Sequence, residues 1–100
     1  MEFVILAPRK QSSRELIVKK AVLKVAEPLG ASLLFERGEV HGTIVYVKRG
    51  KSLFMVYNDL NRGWSQGEIR IHIIRSIVSS YVLSTETSAP TVERNEIVKQ

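Results

Sequence analysis

Between residues 31 and 58 three strand-length apolar runs follow one another: ASLLFE (31–36), VHGTIVYVK (40–48) and SLFMVYN (52–58). Arg37-Gly38 and Arg49-Gly50 stand at the joins. This punctuation constrains the fold more than any other feature of the chain. Glycine reaches positive φ without steric cost, so each Arg-Gly pair reads as a hairpin turn and the stretch as a β-meander. Arginine/glycine tracts that bind RNA are low-complexity and closely spaced, whereas here a strand separates each pair from the next. A third pair, Arg62-Gly63, marks the exit from the last strand. In VHGTIVYVK, Ile44 and Tyr46 face one way and Val45 and Val47 the other. Apolar side chains on both faces place that strand inside a sheet.

The segments before and after the meander complete the pattern. EFVILA (2–7) is a continuous apolar run closed by Pro8, as expected of a strand buried on both faces. Ser12 and Glu15 form a capping box, and Ile17, Val18, Ala21, Val22 and Val25 recur at helical spacing until Pro28 and Gly30 stop the run. Ser65 and Glu68 form a second capping box. Ile69, Ile73, Ile74, Ile77, Val78 and Tyr81 then make a wide apolar arc, with His72, Arg75, Ser76 and Ser79 opposite. EIRIHII alternates like a strand, but the cap before it and the periodicity through Tyr81 favour a helix over 66–82. The expected fold class is α+β, a single small domain of β-α-β-β-β-α order with a mixed four-stranded sheet and two helices. It occupies residues 1–83, and 84–100 form a polar tail with a short helix near 92–99. A meander between helices is similar in outline to the restriction-endonuclease-like nuclease core. SLFMVYN carries neither the acidic residue nor the Glu-x-Lys by which that core holds its metal.

Composition enters through what it excludes. The chain has 100 residues and no cysteine, so disulfide scaffolds, thiolate metal sites and cysteine nucleophiles are ruled out. No apolar run approaches the roughly 20 residues needed to span a bilayer. EFVILAP is too short for the core of a signal peptide, and a cytoplasmic location is expected. His41 and His72 stand on different elements without zinc-ligand spacing, and no metal or cofactor is expected. Nucleophile elbows and phosphate-loop motifs are absent.

The charge is +5, and residues 1–83 hold thirteen Lys and Arg against seven Asp and Glu, so the basic character belongs to the domain. Topology concentrates it. A strand-helix-strand unit in one sheet is nearly always a parallel crossover. One sheet end then collects Arg9, Lys10, Ser12, Ser13 and Arg14, the Arg37 turn, His41, and the segment from Asp59 to Trp64 with Arg62. Helix N-termini at that end favour anions, and Trp64 is either a base-stacking platform or a staple for the second helix. Lys48, Arg49 and Lys51 form a secondary basic patch at the opposite end. These features point to a non-enzymatic module binding a polyanion, most readily DNA or RNA, as an accessory subunit of a larger complex. A protein-interaction or self-associating subunit without nucleic-acid contact is the alternative. A small phosphate-ligand enzyme comes third.

Overall fold

A computed structural model describes residues 1–60 and 63–88, with side chains through Tyr81. The elements follow the expected order: β1 (Glu2–Pro8), α1 (Arg14–Leu29), β2 (Ser32–Gly38), β3 (Ile44–Arg49), β4 (Ser52–Asn58) and α2 (Gln66–Ser88). They form one α+β domain with a mixed four-stranded sheet in the order β2-β1-β3-β4. β1 and β2 are parallel, as a crossover through α1 requires, and β3 runs antiparallel to both β1 and β4.

Two parts of the meander differ from expectation. β2 and β3 do not pair, because β1 lies between them. Arg37-Gly38 is therefore not a hairpin turn. Gly38 ends β2 in register with Pro8, and it is not among the positive-φ glycines, which are Gly30 and Gly50. The physical reason is pairing: β1 and β2 gain a full parallel ladder, and the chain from Glu39 to Thr43 crosses the end of β1 instead of reversing tightly. The Gly50 turn stands. At φ 60° it joins Arg49 to Ser52 at the end of the β3–β4 ladder. The third difference is length, since α2 continues to Ser88, into the segment expected to be tail. The short helix expected near 92–99 lies outside the described residues.

Both helices lie on one face of the sheet. Along β1, Phe3, Ile5 and Ala7 are buried beneath them, and Val45 and Val47 of β3 share that side. Val18, Ala21, Val22 and Val25 of α1 and Ile69, Ile73 and Ile77 of α2 complete a continuous core. A β-bulge between Val45 and Tyr46 leaves Val56 as an extra residue on β4. Val56 and Tyr57 are consequently both buried, and the strand is re-aimed at its C-terminal end. The continuous run EFVILA was expected to be buried on both faces; its even positions are only partly covered. With both helices on one side, the second face has no layer over it among the described residues.

Candidate functional site

The C-terminal ends of β1, β2 and β4 meet the N-terminus of α1, and the expected basic residues gather there. Arg9, Arg14 and Arg37, however, each have a carboxylate. Arg14 donates from Nε to Asp59 Oδ2 at 3.0 Å and from Nη2 to Asp59 Oδ1 at 2.8 Å. Its Nη2 also reaches the Trp64 carbonyl at 2.9 Å. Asp59 is buried and accepts the Tyr57 hydroxyl as well. Burial, followed by that bond to a carboxylate, pushes the Tyr57 hydroxyl well above its ordinary pKa. The Asp59 bond likewise holds Arg14 firmly protonated.

Arg37 makes a second fork-to-fork pair, with Nη1 and Nη2 at 2.7 and 2.9 Å from the two Glu15 oxygens. Nη1 also donates to the Pro8 carbonyl. This bond to Arg37 lowers the Glu15 pKa against the opposing effect of burial. The other half of Glu15's work is local, since it accepts the Ser12 N–H at 3.3 Å as the capping box requires. Arg9 meets Glu39 at 2.6 Å, with both side chains largely in solvent, a pair worth little to stability.

Two shallow clefts flank these pairs. Lys10, Ser12, Arg14, His41 and Asp59 line one of about 500 Å³. Ser12, Ser13, Glu15 and Arg37 line the other, of about 370 Å³. Arg62 lies outside the described residues. Trp64 is half-buried and packs on the core, its ring 5.9 Å from Tyr57 and 5.3 Å from His72. His72, expected on the polar side of α2, closes that aromatic triad at 5.8 Å from Tyr57. At the opposite sheet end Arg49 stacks on Tyr81 at 3.9 Å and on Phe54 at 4.8 Å, and donates to Ser80. Lys48 and Lys51 beside it are exposed. Among the described residues no group of three His, Asp or Glu side chains stands close enough to hold a metal ion.

The face of the sheet away from the helices has a different chemistry. Strand register arranges it in three rows. Ser32, Glu2, Lys48 and Leu53 form the first, and Leu34, Val4, Tyr46 and Met55 the second. Glu36, Leu6, Ile44 and Asn58 form the third. Leu34, Leu53 and Met55 are 42%, 57% and 59% exposed. Val4, Leu6, Ile44 and Tyr46 are half-covered by their neighbours alone. Comparison with known protein families, curated proteins and solved structures finds no match to this chain. The site must therefore be judged on its own chemistry.

Sequence reasoning missed this face although its signal was present. FVILA (3–7) and IVYV (44–47) run without a charged residue on either face, which is the pattern of strands covered on two sides. Two helices that pack on each other and share one core can cover one side. The surplus of apolar strand positions over available helix was the clue.

Proposed function

We propose that this chain is a non-enzymatic interaction subunit that docks on a protein through the open face of its sheet. The observation that carries this reading is the contiguous second row, Leu34, Val4, Tyr46 and Met55, continued by Leu6, Ile44 and Leu53. A monomer that leaves such a surface in water forgoes roughly 1 kcal/mol or more per half-exposed Leu or Met side chain. Contiguous apolar patches rimmed by polar residues mark contact sites, whereas scattered ones need no explanation. Tyr46 lies near the centre of the face, where an aromatic anchor contributes most. The polar sheet end fits a supporting role, because Asp59 and Glu15 are each occupied by an arginine fork.

A photoreactive amino acid at position 55, compared with one at the exposed Arg75 of α2, tests the reading in cells. The expected result is a discrete protein adduct from position 55 that position 75 does not give. No adduct from position 55 would refute it.

Polyanion binding is the second reading, and one observation favours it. Arg9, Arg14 and Arg37 are each paired with a carboxylate, so the surplus charge is carried elsewhere. Lys19, Lys20, Lys24, Arg70 and Arg75 are all exposed on the helices, against Glu27 and Glu68. If this layer tracks phosphates of DNA or RNA, Lys20→Ala with Lys24→Ala flattens the salt dependence of binding by about one to two units. An unchanged slope removes α1 from the contact.

A further inference from the structure

We infer that the occupant of the open sheet face is a second copy of this chain, stacked sheet to sheet about a two-fold axis. The axis lies in the interface, parallel to the strands and between β1 and β3. This inference rests on the reading of that face as a contact surface and names its partner.

The charges of the face select the arrangement. Three charged side chains stand on it: Glu2 and Lys48 in the first row, and Glu36 in the third. A two-fold axis along the strands exchanges β1 with the partner's β3, and β2 with its β4. Glu2 then lies over Lys48 of the other copy, and Lys48 over its Glu2, so one contact is made twice. Glu36 lies over Asn58, so polar faces polar. The apolar rows also match: Val4 meets Tyr46, Leu6 meets Ile44 and Leu34 meets Met55. The alternative axis, across the strands, would place Glu2 on Leu6 and Lys48 on Ile44. That would press both charges onto apolar side chains, leaving each only its neighbour in the same sheet, whereas the axis along the strands adds a partner from the other copy. The same register that makes the face apolar thus makes it self-complementary in one orientation.

The size is adequate for a reversible dimer. Four strands about 4.8 Å apart and three rows about 6.8 Å apart cover roughly 400 Å² of flat sheet per copy. Two copies with their side-chain relief approach about 1,000 Å², the lower bound for a specific interface. Aligned sheets pack with about 30° of twist, which keeps the central β1–β3 contacts in register and loosens those at β2 and β4. The apolar groove between the helices, lined by Leu29, Ile74, Ile77 and Val78, is a weaker candidate, being about 300 Å³ and bordered by Lys24.

Sedimentation velocity of the full chain from micromolar to sub-millimolar concentration tests the proposal. The wild-type chain is expected to pass reversibly from one to two copies. Glu2→Lys and Lys48→Glu each place like charges opposite one another and should weaken the dimer about tenfold or more. Mixing the two variants should restore wild-type association. In the mixed pair every facing contact is again opposite in sign, although each chain keeps its own like-charged neighbours. Met55→Lys should weaken the dimer, and Val78→Lys on the helix groove should leave it unchanged. A wild-type chain that stays monomeric throughout, or variants that are not rescued by mixing, would overturn the two-fold pairing. So would loss of the dimer in Val78→Lys alone. If the chain is monomeric yet position 55 cross-links to a different protein, the contact-surface reading stands and the second copy is wrong. If position 55 also captures nothing, both are wrong.

Discussion

At the scale of single residues, the most informative positions are those where a small group meets fixed backbone. A Cβ on Gly42 would sit 3.1 Å from both the N and the Cα of Leu60, atoms that cannot swing aside. Gly42→Ala should therefore lower stability by about 1–3 kcal/mol in urea titrations. At Gly38 the near neighbour is the tip of Leu6, at 3.1 Å, which can move. Gly50 meets nothing, but its positive φ makes Gly50→Val cost about 1 kcal/mol or more. Equal stability of the wild-type and Gly50→Val chains would refute that strain argument. Glu15 sets a pH dependence. Its pKa is lowered on folding, so the unfolded chain binds the proton more readily. The stability it contributes is complete above the ordinary carboxylate range and is lost as pH falls through the depressed folded value. Glu15→Gln should flatten that part of the stability profile, measured by urea unfolding below about pH 5.

Among the elements, α2 shows how a local signal survives competition. EIRIHII alternates as a strand would, yet Ser65 Oγ accepts the Glu68 N–H at 3.3 Å and Glu68 accepts the Ser65 N–H at 2.9 Å. Both halves of the capping box are made, and Ile69, Ile73 and Ile77 follow at helical spacing onto the core. Ser65→Ala should cost about 1 kcal/mol, read as a shift of the thermal midpoint. At α1 the same motif is half made: the Glu15 carboxylate is shared with Arg37, and Ser13, the N-cap residue, makes no side-chain cap. The Arg14–Asp59 fork ties the start of α1 to the end of β4 across 45 residues. Removing one partner leaves a partly buried charge, so Asp59→Ala should destabilise by about 2–3 kcal/mol, less than in a fully dry site because Arg14 still touches solvent. Tyr57→Phe in the same background tests whether the hydroxyl acts through Asp59, since its effect should vanish once the carboxylate is gone.

For the whole molecule, the core runs from Phe3 to Ile77. A chain ending at Ser88 should fold with an unchanged thermal transition, and loss of cooperative unfolding would place later residues in the core or in an interface. Among the described residues, two layers rather than three is the decisive property. Both helices pack on one side, so one sheet face is core and the other is surface.

The α+β class, the element order and the inner placement of β3 could be read from the chain, because capping boxes, helical spacing and apolar runs are local signals. β4 was legible to the residue. The pairing of β2 was not. A strand's apolar pattern says that it needs neighbours, but which strand supplies the ladder depends on the crossover and on contacts distant in sequence. For the same reason Arg9, Arg14 and Arg37 could be gathered at one sheet end in advance, while their carboxylates could not be assigned: Glu15 lies 22 residues from Arg37, and Asp59 lies 45 from Arg14. Sequence patterning marks which strand faces are apolar. The tertiary structure decides which of them stays uncovered, because only the packed arrangement shows on which side both helices fall.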